Sequence, residues 1–258
     1  LTIQYVSDLH LEMKSNALYI QDNPIIPAGD VLILGGDITS LSYATTRKLE
    51  KDFFKKLSTQ FAQVYWFPGN HEFYNSRDAS LLDAPLREEL HKNVWLVNNV
   101  AITHGPARLL LSTLWTEIDQ LNERAVGFGM LDFQVITYRG KRITPAVYTR
   151  ELHRPSLAFL RTELAKPHDG PTVVATHHLP SLQCVHPRHK GSSLQQGFAN
   201  DLDDLIWDAQ PDYWLYGHSH GNRPPFQIGK TQLLSNMLGY VGDYAEQDGY
   251  MNPATLVL

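Results

Sequence analysis

Short apolar runs alternate with helical patterns along the chain. TIQYV (2–6), VLILG (31–35) and VYWF (64–67) are compact and end at Asp, Gly or Pro, which predicts buried strands. Between the second and third, Leu49, Phe53, Leu57 and Phe61 recur every four residues, one face of a helix. Leu82, Leu86 and Leu90 repeat that spacing and predict a short helix before the strand VWLV (94–97). ARLLLSTL (107–114) reads as a strand, followed by an irregular region from Trp115 to Tyr148. Leu157, Leu160 and Leu164 predict a helix before the strand TVVAT (172–176). A helix near 198–207 leads to the strand YWLY (213–216), and TQLLSN (231–236) and TLVL (255–258) read as closing strands.

This alternation predicts an α/β fold with a largely parallel central layer or layers. No repeat or long linker divides the chain, so one domain spanning 1–258 is expected. The 115–148 region carries Gly127, Gly129, Gly140 and a basic RGKR (139–142), and reads as an insertion or lid over a site.

Composition narrows the function classes. Apolar residues make up 43% of the chain, enough for a sizeable core. A net charge of −5 disfavours a nucleic-acid or anionic-membrane coat. No apolar run approaches the roughly 18–20 residues that span a bilayer, and no secretory leader pattern opens the chain. Cys184 is the only cysteine, which excludes an intrachain disulfide and a thiolate zinc cluster and fits a reducing cytoplasm. The unusual total is 12 histidines.

Their placement is what matters. Each of five predicted strands runs straight into potential metal ligands: SDLHLE offers Asp8 and His10, GGD offers Asp37, PGNHE offers Asn70 and His71, THH offers His177 and His178, and GHSHG offers His218 and His220. In open α/β folds the carboxyl ends of strands share one crevice, so distant residues can converge there. Asp8/His10 and His218/His220 are i, i+2 pairs, which an extended chain presents on one side. Asp8, His10, Asp37, Asn70, His177, His218 and His220 are seven candidate ligands. Two ions about 3.5–4 Å apart, each with about four protein ligands, are satisfied if one carboxylate bridges them, and Asp37 is the natural bridge. Asn70 supplies a neutral carbonyl that does not quench the ions' Lewis acidity. His71, pointing elsewhere from the same turn, is free to protonate a leaving group.

The blocks DLH, GGD, GNHE, THH and GHSH resemble, in order, those of the calcineurin-like metallophosphoesterases. The resemblance spans Asp8 to His220 and implies a two-sheet sandwich flanked by helices. It implies that Asp8, His10, Asp37 and His220 hold one metal, and that Asp37, Asn70, His177 and His218 hold the other. His71 matches the family's leaving-group acid, with Glu72 as the partner holding its ring. His178 would lie behind the ligands or face substrate. The implied mechanism is in-line attack on phosphorus by a hydroxide bridging the metals.

The implied activity is dinuclear metal-dependent hydrolysis of a small phosphodiester or nucleotide-like substrate. Phosphomonoesters, nucleotide pyrophosphates and a non-catalytic metal-binding scaffold are the alternatives. The oxygen and nitrogen ligand set admits Mn, Fe, Zn, Co or Ni. The expected partner is a small phosphorylated substrate, with neither membrane nor nucleic acid. Arg188, in HPRHK (186–190), is a candidate phosphate clamp, with a solvated basic loop as the bland alternative. Trp115 and Tyr74 are expected in aromatic packing, with the lining of a substrate pocket as the alternative, and His153 in a capping or surface role, with the cleft as the alternative.

Overall fold

The computed structural model describes residues 1–242 and 247–258. Strands β1 (Thr2–Val6), β2 (Val31–Leu34), β3 (Gln63–Trp66), β4 (Leu86–His91) and β5 (Val94–Asn98) build a first sheet. Then come β6 (Val100–His104), β7 (Ala107–Ser112) and a small hairpin, β8 (Thr137–Tyr138) with β9 (Lys141–Arg142). A second sheet adds β10 (Thr172–Thr176), β11 (Tyr213–Tyr216), β12 (Phe226–Ile228) and β13 (Thr231–Ser235) to β6 and β7, and β14 (Thr255–Val257) returns to the first sheet. The strand orders are β14-β1-β2-β3-β5-β4 and β12-β13-β11-β10-β7-β6. In each sheet the four central strands are parallel and the edge strands antiparallel.

The two sheets face one another. Strand alternation sends Ile3, Tyr5, Val31, Ile33 and Tyr65 into a shared layer, where they meet Leu109, Leu111, Val173, Ala175 and Leu215. The opposite faces are apolar too, which is why these strands read as continuous hydrophobic runs. Leu32, Leu34, Val64 and Trp66 pack on Phe54 and Leu57 of the helix Lys48–Gln60, with Phe54 stacked on Trp66 at 5.0 Å. Leu110, Val174, Trp214 and Leu233 pack on Leu160 and Ile206 of helices Arg154–Leu164 and Asp203–Ala209. The result is an αββα sandwich.

Three expectations fail locally. The helix expected at Leu82–Leu90 is instead a 3-10 turn, Ala79–Leu82, followed by β4. Leu86 and Leu90 are four apart, which satisfies a period of two as well as a helical turn. The free edge of β5 decides between them, and Arg87 and Glu89 turn outward to leave a charged edge. Strand β6 was not expected at all, because VAITH alternates weakly beside a half-exposed edge. The helix expected near 198–207 begins later, at Asp203, after a 3-10 turn over Gln195–Gly197.

His153 departs from its expected capping or surface role. It is buried, and its Nδ1 lies 3.0 Å from the Leu114 carbonyl. It closes a π-helical turn, Tyr148–His153, just ahead of Pro155, whose missing N–H cannot close an ordinary turn. Among the described residues no helix is long and apolar enough to cross a membrane.

Candidate active site

The parallel strands β1, β2, β3, β10 and β11 end at one rim of the sandwich, and the polar blocks follow them there. Asp8, His10, Asp37 and His220 form one group whose donor atoms all lie within 4.8 Å of one another. Asp37, His177 and His218 form a second under the same limit, and Asn70 joins it, its Oδ1 3.3 Å from His177 Nε2. Asp37 belongs to both. Its Oδ1 is 3.3 Å from His177 Nε2 and its Oδ2 is 3.8 Å from His10 Nε2.

The local backbone differs from the extended pairs expected. Asp8, His10, Asp37, His218 and His220 all have φ between 47° and 74°, the left-handed region that L residues enter at a cost. Asp8 and His10 still reach one group, but His218 and His220 diverge to opposite groups. Gly69 is needed for close approach: a methyl there would strike the Asp37 carboxylate and the His177 ring.

Hydrogen bonds at the back of the His10 and His177 imidazoles select their tautomers. His10 Nδ1 donates to Glu12 Oε1 at 2.9 Å, which leaves Nε2 with its lone pair facing His220. His177 Nδ1 donates to the Gly35 carbonyl at 2.9 Å, leaving Nε2 toward Asp37 and Asn70. His218 Nε2 points at the Gly197 carbonyl at 3.3 Å, and its Nδ1 is buried without a hydrogen-bond partner. His10 Nε2 and His220 Nε2 meet tip to tip at 2.8 Å beside Asp8 and Asp37. Lone pairs converging on carboxylates, with one buried nitrogen unspent, suit cations of the borderline type.

Charge points the same way. Burial alone would raise the Asp8 and Asp37 carboxyls, but facing histidines, His220 and His177 foremost, outweigh it and hold both below the usual range. Burial and neighbouring imidazoles keep His10 and His218 below the usual histidine value and therefore neutral, the form that ligates metal. Burial would also lower His177, but Asp37 and Asp8 lift it to about 9. Two buried carboxylates here favour positive charge on the groups that face them.

The groups open onto a cavity of about 380 Å³, with Asp37, Asn70, His71, His218 and His220 on one side. His71 faces this space. Its Nδ1 lies 2.9 Å from Glu12 Oε1, and its ring stacks on Tyr74 at 4.0 Å. Burial would lower its pKa, but Asp37 and Glu12 raise it above the usual value. Residues Gly129–Asp132, from the region expected to be an insertion, form part of its lining.

The sequence pattern of the calcineurin-like phosphoesterases matches residues 1–222. The chain belongs to that family. An uncharacterized protein of Acanthamoeba polyphaga mimivirus is 28% identical over 263 aligned positions, covering 92% of this chain and 91% of the viral one. Among solved structures, a phosphopantetheinyl hydrolase from Mycobacterium tuberculosis superposes with a TM-score of 0.74 at 18% identity, covering 99% of this chain and 95% of that one. A dimetal phosphatase from Danio rerio gives 0.52 at 15% identity, covering 91% and 86%. At these identities the structures establish the fold, a metallophosphoesterase sandwich of two mixed sheets flanked by helices.

Within this phosphoesterase, two expected roles are corrected, those of Glu72 and Arg188, and His178 takes the first of its two expected places. Glu72 does not hold the His71 ring and does not face the cavity. Its carboxylate is fully buried and accepts from the Asp37, Ile38 and Gly69 amides and from Trp66 Nε1, at 2.7–3.0 Å. It therefore shapes the Asp37 and Asn70 turns. His178 also lies behind the wall, its Nε2 2.8 Å from the Tyr148 hydroxyl and its Nδ1 3.2 Å from the Thr113 carbonyl. Arg188 is exposed and donates to the His220 carbonyl at 2.7 Å, so its guanidinium braces a donor loop rather than lining the cavity. Trp115 is core, as expected, whereas Tyr74 lines the cavity.

The structure also adds residues that the sequence reading left out. Glu12 ties His10 to His71 through one oxygen. Tyr240 packs against His10 and His220, its hydroxyl 3.5 Å from His71 Nε2. Asp132, fully buried, accepts from the Asn70 amide at 2.9 Å and from the Tyr74 hydroxyl.

Proposed function

We propose that this phosphoesterase is a dinuclear metal-dependent hydrolase of small phosphodiester or nucleotide-like substrates. The observation that carries the reading is the shared carboxylate: Asp37 stands between two donor groups, with one oxygen toward each. Asp8, His10, Asp37 and His220 would hold one ion, and Asp37, Asn70, His177 and His218 the other. Such ions, when bound, supply Lewis acidity to phosphoryl oxygens and acidify water.

The remaining work falls to the chain's own residues. Asn70 presents a neutral carbonyl, its amide nitrogen anchored on Asp132 so that the oxygen faces inward. His71 is the general acid: Glu12 fixes its Nδ1, and its Nε2 is the nitrogen available to a departing alkoxide. Against burial, Asp37 and Glu12 raise its pKa, which favours the protonated, proton-donating ring. The Tyr74 ring beneath the imidazole limits its rotation.

The test is hydrolysis of p-nitrophenyl phosphate and bis-p-nitrophenyl phosphate by metal-stripped protein resupplied with Mn²⁺. Turnover that requires the metal and favours the diester supports the reading; preference for the monoester would replace it with a phosphomonoesterase. A phosphopantetheinyl compound belongs in the same panel, given the fold neighbour. In a second arm, His71→Ala should retain metal yet slow alkoxide-leaving substrates by about 10²–10⁴-fold, far more than nitrophenolate-leaving ones. Equal losses would remove His71 as the acid.

A further inference from the structure

The cavity has two unlike walls. Besides the donor groups, the lining carries hydrocarbon: Met130, Leu131, Leu179, Val185, Leu194 and Phe198. Phe198 stacks on His218 with ring centroids 4.7 Å apart, so this wall begins directly against a proposed ligand. It also runs out to the surface, where Leu131 is 51% exposed and Phe128, beside the lining residue Gly129, is 79% exposed. Single exposed apolar residues are ordinary, but here they rim a cavity whose wall is already apolar. Among the described residues the carboxylates on the lining are Asp37 and Asp132, and no lysine or arginine lines it. Away from the donor groups a second phosphate would meet hydrocarbon, Asp132, or the His189, Ser192 and Gln195 side chains, with no lysine or arginine among the described lining residues to pair with it.

Resting on the phosphoesterase reading above, we propose that the site selects phosphodiesters whose second ester group is uncharged and largely apolar. That group seats on the Leu131, Leu194 and Phe198 wall, while the phosphate turns toward the donor groups. Substrates carrying additional phosphates are disfavoured. Full burial of one methylene is worth about fourfold in affinity at room temperature. A wall open to solvent on one side should realise about half of that per methylene on a logarithmic scale, or about twofold.

The experiment compares p-nitrophenyl methyl phosphate, p-nitrophenyl butyl phosphate and ATP on the Mn²⁺-loaded enzyme. In both diesters a water oxygen bonds to phosphorus as the bond to nitrophenolate breaks, so only the retained group differs. From methyl to butyl, kcat/KM should rise about tenfold, mostly through KM, with ATP at least about tenfold below the butyl ester. Dibutyl phosphate should inhibit more tightly than dimethyl phosphate, a readout of binding alone. Leu131 is half exposed, so its substitution leaves the core intact. Leu131→Ser should reduce the butyl-to-methyl ratio, and Leu131→Lys should raise ATP relative to the butyl ester. A flat or falling series, or preference for ATP, overturns the inference while leaving a phosphoesterase. Hydrolysis of no phosphoester with metal bound removes both.

Discussion

At the scale of single residues, the site is a set of ligating atoms whose directions are fixed from behind. Asn70 shows this most sharply, because an amide can present either oxygen or nitrogen to a cation and only the oxygen binds. Asp132 settles the choice by accepting from the Asn70 nitrogen, and the Tyr74 and Tyr148 hydroxyls in turn donate to Asp132. Asp132→Ala should therefore weaken metal binding at the Asn70 group by about 10–100-fold while sparing the group built on Asp8. Titration with Co²⁺, followed by calorimetry or its visible absorption, resolves the two steps; two unchanged affinities would show that Asn70 orients without Asp132. The sequence displayed Asn70 itself because GNHE is a compact motif at a strand end. Asp132 stood in an irregular region 62 positions away, and nothing local marks it. Glu12 lay in plain view in SDLHLE, two residues after His10, and that spacing was a usable signal. Glu72 misled for the opposite reason: adjacency to His71 suggested a contact that the turn directs elsewhere.

At the scale of elements, the strands that end at the site were legible because each is buried on both faces and reads as an apolar run. The half-exposed edges were not. In β4 the spacing of Leu86 and Leu90 suits helix and strand alike, and only the unpaired edge of β5 distinguishes them. The 115–148 region resisted reading because its structure is set by contacts rather than by periodicity. Its hairpin, β8 with β9, is pinned by Asp78, whose carboxylate accepts from the Ser80, Arg139 and Gly140 amides at 2.7–3.0 Å. Burial would raise that carboxyl, but the hydrogen bonds outweigh it and hold it below its ordinary value of 3.8. A depressed folded-state pKa adds stability that is fully present above 3.8 and lost as pH falls through the folded value. Asp78→Ala should thus cost about 1 kcal/mol near neutrality, as removal of a capping side chain does. It should also shrink the acid-induced loss of stability, because its side chain cannot titrate. Denaturant midpoints measured at neutral and acid pH test this, and parallel acid limbs in the two proteins would contradict it.

At the scale of the molecule, the proposed ligands are divided between the sheets. Asp8, His10, Asp37 and Asn70 follow strands of the first sheet, whereas His177, His218 and His220 follow strands of the second. The sheets otherwise meet through the apolar layer that contains Ile33, Phe67, Leu111 and Val173. Each donor group draws from both: the Asp8 group takes His220, and the Asp37 group takes His177 and His218. Ions bound there would clamp one sheet to the other at the rim and would bind the folded chain in preference to the unfolded one. Linkage then requires stabilisation by about 2.7 kcal/mol when free metal stands at 100 times its dissociation constant. For a chain of this length that is a rise of several degrees in Tm. Chelation should lower Tm, Mn²⁺ should restore it, and Asp37→Ala, which removes the carboxylate common to both groups, should abolish the restoration. If Mn²⁺ raises the Tm of the variant as much as that of the parent, Asp37 does not join the two groups, and the bridge on which the proposed chemistry stands is absent.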